Sequence, residues 1–262
     1  MSYKLLALDI DGTLLNERGE LSDKTVDSVR AACESGVTVV LCTGRSFGPC
    51  VPILNRLGLS APIVTVNGAA TIDPAHGTVI HEHSFAIGEA APLIRHCRAH
   101  RIPFHVCTAL GLYVEKTNEE RIDELRRQGL IFTIVDDVLA HPLNVVRVSI
   151  DDRRRVGGWH RIDVPPRTIV RGCAVDVVHP SAGKAEAIAR IARSMGIGRE
   201  EVAAIGNHYN DLGLIEYAGL GIAMGNAPWP IKQRADAVTG TNRDDGVHRA
   251  IVDMIRKGRR PT

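Results

Sequence analysis

Residues 4–8, KLLAL, make a short, nearly continuous apolar run with none of the polar alternation of a strand that has one wet face. Similar runs recur at 37–42, 62–66 and 202–205 (VAAI). Strands of this kind need cover on both faces, as in a parallel sheet wrapped by helices. Amphipathic segments lie between several of them. After Ser22, a suitable N-cap, Val26, Val29 and Cys33 recur at helical spacing until Gly36 ends the pattern. Ile188, Ile191, Ala192 and Met195 mark one face of a helix stopped by Gly196, and Val247, Ile251, Met254 and Ile255 mark the last helix. Both ends of the chain therefore read as βαβ units of an α/β, doubly wound, Rossmann-like and mostly parallel sheet.

The middle reads differently. From about Glu82 to Ala182, helical patterns at 88–101 and 118–128 stand among short β-branched segments, GLYVEK, NVVRVSI and TIVRGCAVDVV. This mixture predicts an inserted α/β domain with an α+β layer, residues 83–182, interrupting a core formed by 1–82 and 183–262. A chain of 262 residues has room for both. Its 32 basic and 30 acidic residues leave a net charge of +2, which gives no reason to expect nucleic acid as a partner. No window holds the ~18 consecutive apolar residues of a membrane helix, and the N-terminal strand followed by acids is unlike a signal peptide. A soluble cytoplasmic protein is expected.

Cys33, Cys42, Cys50, Cys97, Cys107 and Cys173 contain no CxxC pair and read as reduced thiols in or near the core. The histidines of HEH (81–83) and HCRAH (96–100) read as surface residues. DDRRRVGGWHRIDVPPR (151–167) reads as a solvated loop, and the terminal RKGRRPT as a frayed basic tail.

Three strand ends carry small polar residues. The run at 4–8 delivers Asp9 and Asp11, that at 37–42 delivers Thr43, Gly44 and Arg45, and that at 202–205 delivers GNHYND, ending in Asn210 and Asp211. Singly, each group is satisfied by capping or turning the chain. Together they lie where open α/β sheets bind ligands, outside the carboxyl ends of the strands. Converging carboxylates repel, so a cation or a proton belongs between them. Magnesium suits, being a hard ion taken by one or two carboxylates together with waters and phosphate oxygens. A phosphoryl group held there needs donors, and the Thr43 hydroxyl, the Gly44 amide and Lys184, in the first turn of a helix after the insert, supply them.

In that order DIDGTL (9–14), TGR (43–45), Lys184 and GNHYND (206–211) resemble the four motifs of the haloacid dehalogenase superfamily of phosphohydrolases. The large insert, with NGA (67–69), AMGNA (223–227) and TNRDDGV (241–247), resembles its Cof-type sugar-phosphatase branch. The resemblance runs along nearly the whole chain. It implies a magnesium-dependent phosphomonoesterase acting on a small phosphorylated metabolite, a sugar phosphate. By that resemblance Asp9 is the nucleophile that becomes an aspartyl phosphate, and Asp11 is the general acid and then the base. Magnesium is held by Asp9, by the main-chain carbonyl of Asp11 and by the fourth-motif loop with Asn207 and Asp211. Thr43 and Lys184 hold the phosphoryl oxygens, Asn210 faces the phosphate, Arg45 and Asn67 line the substrate entrance, and the insert is a cap.

The sequence departs from the family pattern GDxxND at Asn207, where an acid normally binds the metal. An amide oxygen still coordinates but brings no charge. Asn207 is compatible with an engineered change that slows turnover, with a natural variant that leans on Asp211, and with a phospholigand-binding protein that no longer hydrolyses. A phosphomutase of the same fold is a further alternative.

Overall fold

The computed structural model describes residues 3–151, 153, 167–171 and 174–258; Cys173, residues 259–262 and most of the 151–167 loop lie outside them, while 256–258 of the expected frayed tail continue the last helix. From the N-terminus come β1 (Leu5–Leu8), α1 (Asp23–Glu34), β2 (Thr38–Leu41), α2 (Val51–Leu57) and β3 (Ile63–Thr65), followed by β4 (Ala70–Asp73) and β5 (Thr78–Glu82). The middle supplies β6 (Phe85–Ala86), α3 (Ala91–Ala99), β7 (Phe104–Cys107), β8 (Leu112–Glu115), α4 (Glu119–Arg127) and β9 (Thr133–Val135). After these come β10 (Asn144–Val145), β11 (Arg147–Asp151), β12 (Arg167–Arg171) and β13 (Ala174–Val178). The chain then returns through α5 (Lys184–Ser194), β14 (Val202–Gly206), α6 (Leu212–Tyr217), β15 (Leu220–Ala223), α7 (Trp229–Lys232), β16 (Ala237–Val238) and α8 (Gly246–Gly258).

A five-stranded parallel sheet has the order β16-β15-β14-β1-β2. A Cys42–Val64 bridge carries it on toward β3, which pairs antiparallel with β4, and β4 with β5. The chain winds outward from β1 through α1 to β2, then returns on the other side of β1 with β14. The order therefore reverses beside β1. Leu6, Leu8, Val39, Leu41, Ala203 and Ile205 turn to the layer holding Val26 and Val29 of α1 and Val247 and Ile251 of α8. Leu5, Ala7, Val40, Val202 and Ala204 turn the other way, onto Ala187, Ile188 and Ile191 of α5 and Leu214 of α6. Apolar layers on both faces account for the lack of alternation in these runs.

Ser22 caps α1 as expected, its Oγ accepting from the Thr25 amide at 3.2 Å. Two expected core positions are not core. Val26, Val29 and Ala32 fill the buried face of α1, which leaves Cys33 a further 100° round and exposed. Met195 lies beyond the last turn of α5 and is 45% exposed. The other described cysteines, Cys42, Cys50, Cys97 and Cys107, are buried. His81 and His83 are half-buried rather than free on the surface, with His83 stacked on His179 and facing the Arg190 guanidinium at 2.9 Å.

The middle residues build a six-stranded sheet, β12-β13-β11-β7-β8-β9, antiparallel except between β8 and β9. NVVRVSI is two strands and not one: β10 pairs with β6, and β11 pairs with β7 and β13. Phe104, Val106, Val148, Ile150, Val175 and Val177 cover one face together with Leu93, Ile94 and Cys97 of α3. The other face is polar, with His105, Ser149 and Asp176 in register across β7, β11 and β13. The turn after β3 meets the start of α5 closely at Gly68, whose φ is +94° and where a Cβ would fall 2.1 Å from the Gly183 carbonyl oxygen. Among the described residues no helix is long and apolar enough to cross a membrane.

Packing of α5 on the sheet is expected to carry stability in proportion to burial. Ile188→Ala, at a fully buried position, should cost about 2–5 kcal/mol in urea unfolding, and Met195→Ala less than about 0.5 kcal/mol. Equal losses at the two positions would contradict this packing.

Candidate active site

Asp9 follows the last residue of β1, its amide donating to the Ile205 carbonyl at 3.1 Å, so the carboxylate emerges at the carboxyl edge of the sheet. Lys184, the first residue of α5, places Nζ 2.7 Å from Asp9 Oδ1 and 2.6 Å from Asp211 Oδ1. The three side chains are 1%, 6% and 0% exposed respectively. Asp211 Oδ2 accepts from the Asn207 and His208 amides, both at 3.0 Å, which folds the fourth-motif loop around it. Burial pushes the Asp9 carboxyl up to about 6, with Lys184 working against the rise and Asp211 adding to it. Burial alone would lower Lys184, but Asp211 and Asp9 outweigh it and hold the ammonium above its ordinary value.

Thr43, Asn67, Arg45 and Asn210 converge beside this cluster. The Thr43 amide donates to the Val64 carbonyl and the Asn67 amide to the Thr43 carbonyl, both at 2.9 Å. Val66 and Asn67 have φ of 49° and 56°, and a β-branched residue in the left-handed region is a strained one. The strained turn brings Asn67 Oδ1 to the Asn210 amide group, 3.0 Å away, and leaves Asn67 Nδ2 buried without a partner. Arg45 grips Asp11 with a fork, Nε donating to Oδ2 at 2.9 Å and Nη2 to Oδ1 at 2.6 Å. That bond raises the Arg45 pKa. In this pose Asp11 only accepts, so donating a proton requires it to turn away from Arg45.

The loop after Asp11 is held by residues to which the sequence reading gave no role. Gly12 has φ +73°, and a Cβ there would lie 2.3 Å from Asn207 Nδ2, so only glycine lets the first and fourth motifs touch. Asn226 Nδ2 donates to the Gly12 carbonyl at 2.8 Å, its Oδ1 accepts from the Asn242 amide at 3.1 Å, and Asn242 Nδ2 donates to the Leu15 carbonyl at 2.9 Å. Both asparagines stand inside the AMGNA and TNRDDGV segments, which was the available signal. The Thr13 hydroxyl donates to Asn207 Oδ1 at 3.3 Å.

Asp211, which the resemblance places in the metal-binding loop, has both carboxylate oxygens engaged within the protein. Its two oxygens are taken by Lys184 and by two amides, and the side chain is fully buried behind Asp9. Its contacts make it a brace for Lys184 and for the loop that carries Asn207.

A cavity of about 1440 Å³ opens on Asp9, Asp11, Gly44, Arg45, Asn207 and Asn210 from the first sheet. The opposite wall is the polar face of the second sheet with α4: His105, Arg121, Glu124, Arg147, Ser149, Asp151, Arg153 and Asp176. Arg121 Nε donates to His105 Nδ1 at 2.9 Å, which leaves that imidazole neutral. Burial first, then Arg121 and Arg147, hold it well below the ordinary histidine range. The alternation in FHVC and RVSID marks this wall in the sequence, with polar side chains at every second position.

A carboxyl raised to about 6 when folded and near 3.8 when unfolded is an extra proton site of the folded state between those values. Its ionisation therefore lowers stability as pH rises through that window. In divalent-free buffer, urea unfolding of wild type should lose about 2–3 kcal/mol relative to Asp9→Asn between pH 4 and pH 7. Parallel pH profiles for the two proteins would show that Asp9 is not so perturbed.

The model of the haloacid dehalogenase-like hydrolase family matches residues 6–145 and 168–251. The 5-amino-6-(5-phospho-D-ribitylamino)uracil phosphatase YcsE of Bacillus subtilis (strain 168) is 32% identical over 97% of this chain and 97% of its own length. The phosphatase YwpJ of the same organism is 28% identical over 96% of this chain and 100% of its own. A solved haloacid dehalogenase-like hydrolase from Bacteroides thetaiotaomicron superposes with a TM-score of 0.87 at 28% identity, covering 97% of this chain and 100% of that one. One from B. subtilis gives 0.81 at 26% identity, covering 95% and 99%. With the doubly wound sheet and the Asp9–Lys184–Asp211 cluster at its carboxyl edge, the chain belongs to the haloacid dehalogenase-like hydrolases, as an enzyme of the phosphatase kind.

Proposed function

We propose that this enzyme is a magnesium-dependent phosphomonoesterase that hydrolyses a sugar phosphate or a similarly hydroxylated metabolite through an aspartyl phosphate on Asp9. The observation that carries the reading is the buried Lys184 ammonium between Asp9 and Asp211, beside a cavity that exposes Asp9 and Asp11. In the first half-reaction an Asp9 carboxylate oxygen attacks phosphorus, the bond from phosphorus to the leaving oxygen breaks, and Asp11 gives that oxygen its proton. In the second, water attacks phosphorus while Asp11 takes its proton, and the bond to Asp9 breaks to release phosphate. Lys184, the Thr43 hydroxyl, the Gly44 amide and Asn210 hold the phosphoryl oxygens, with Asn67 orienting Asn210. Arg45 exchanges Asp11 for the incoming ester.

The donor set suits magnesium. Two carboxylates and one ammonium leave the buried cluster net negative, and the Asp9 carboxylate, the Asp11 main-chain carbonyl and the Asn207 amide supply hard oxygens. We assign the ion to these three, with Asp211 behind them, and when bound it would offset phosphoryl charge. Residues 83–182 act as the cap over a core of 1–82 and 183–262. The hydroxylated leaving group is supported by the cap-side wall, which is rich in donors and acceptors. YcsE is named for a substrate with a ribityl chain, itself a polyol.

A phosphate-release screen over hexose, pentose, nucleotide and flavin phosphates should give magnesium-dependent turnover that chelation stops and Asp9→Asn abolishes. Full activity in that variant would remove Asp9 as the nucleophile, and isomerised ester without free phosphate would make the enzyme a mutase. A unit charge pair at ~4 Å is worth about 4 kcal/mol at an effective dielectric near 20. Asn207→Asp should therefore lower the magnesium concentration for half-maximal activity by about tenfold to a thousandfold. No change would place Asn207 away from the ion.

A further inference from the structure

Arg147 belongs to β11 of the second sheet, yet its Nη1 donates to the main-chain carbonyl of Gly44, 3.0 Å away and 103 residues earlier in the chain. The side chain is 11% exposed. Unlike Arg45, it is not closed by a carboxylate fork. Asp176 lies 3.8 Å away and already takes the Ser149 hydroxyl, Nη2 is 3.4 Å from Cys107 Sγ, and Nε has no partner. Its short hydrogen bond to oxygen goes to the loop assigned above to phosphate.

The Gly44 carbonyl is one end of the peptide whose other end is the Arg45 amide, and that amide donates to Thr43 Oγ1 at 3.1 Å. Hydrogen bonds in series polarise one another. The guanidinium charge, drawing on the carbonyl, strengthens the Arg45 N–H as a donor and fixes which lone pair of Thr43 Oγ1 it occupies. A hydroxyl has a single proton. Thr43 is fully buried, and among the described residues its hydroxyl donates to nothing, so its proton has no protein acceptor and is available to a phosphoryl oxygen.

We propose that Arg147 is a positioning residue for phosphate recognition: through the Gly44–Arg45 peptide it sets the direction in which the Thr43 hydroxyl donates, so the second sheet completes the phosphate site. The inference rests on reading Thr43 as a phosphoryl ligand. It separates Arg147 from the rest of the cavity wall, which on the same reading faces the leaving group. A residue that reads the leaving group affects some esters and spares inorganic phosphate. One that acts through Thr43 affects phosphate itself and every ester by the same factor.

The test is calorimetric titration of inorganic phosphate with magnesium present, which requires no turnover and so stands apart from the success of the release screen. Arg147→Gln should weaken phosphate about tenfold, and Arg147→Lys, which can still reach the carbonyl, no more than about threefold. In a Thr43→Val background the Arg147→Gln change should cost less than about twofold more, because the two act through one hydroxyl. With esters, KM should rise by one common factor while kcat moves less. Additive losses in the cycle, unchanged phosphate affinity, absence of phosphate binding by wild type, or losses that differ from ester to ester would overturn the proposal. Thermal melting checks each variant's fold; should the Gln variant not fold, the same cycle on Arg147→Lys decides, its loss disappearing with Thr43→Val or persisting.

Discussion

The Lys184 ammonium lies 2.7 Å from Asp9 and 2.6 Å from Asp211 at a place where none of the three side chains is more than 6% exposed. Taking such charges out of water costs several kcal/mol each. Lys184 and Asp211 offset one another, whereas the burial of Asp9 outweighs its attraction to Lys184 and leaves its charge the uncompensated one. Asp9 comes from β1 and Asp211 from the loop after β14, and Lys184 opens the helix that packs across both strands, 175 residues from Asp9 in sequence. The cluster therefore joins the two ends of the chain at one sheet edge, where the pairing of β1 with β14 has already brought them together. Its charge is one short of neutral, which suits the magnesium ion proposed above.

Around that cluster the loops are held mainly by main-chain bonds, and this is how a strained turn persists. Residues such as Val66 and Asn67 in the left-handed region cost about 1–3 kcal/mol each. The Val66 amide donates to the Arg45 carbonyl and the Asn67 amide to the Thr43 carbonyl, both at 2.9 Å, so relaxing the turn would break the loop that carries Thr43. Strain in one segment and order in another are the same set of bonds. These bonds set Thr43 and Asn67 beside each other, and the Asn67 side chain in turn holds that of Asn210.

Sequence reasoning reached the sheet because what makes a strand buried on both faces is local: an unbroken apolar run shows it without knowledge of the neighbours. Most motif residues were equally legible, since they follow closely on such a run, whereas Lys184 is marked only by its place at the start of the helix after the insert. What escaped depends on partners distant in sequence. The hold of Lys184 and two amides on Asp211 is one such feature. Cys33 and Met195 fit a helical stripe, but Ala32 takes the buried position near one and α5 ends before the other. NVVRVSI carries one β-branched pattern and two pairings, with β6 and with β7, because the chain changes sheets at Val146. β5 left no mark because it buries little, with Thr78, Val79 and Ile80 all exposed.

The wall opposite the cluster bears on what the cavity accepts. It carries Arg121, Arg147 and Arg153 against Glu124, Asp151 and Asp176, three of each sign. Arg121 pairs with Glu124, Arg153 with both Asp151 and Glu124, and Asp176 takes the Ser149 hydroxyl. A hydroxyl entering such a wall exchanges one neutral hydrogen bond for another and strands no charge. A second anionic group finds most of these cations already paired and must break an ion pair to be held, which in a partly buried site costs more than the new contact returns. Charge balance on this wall thus supports the substrate proposed above, an ester with one phosphate and a neutral, hydroxyl-bearing remainder.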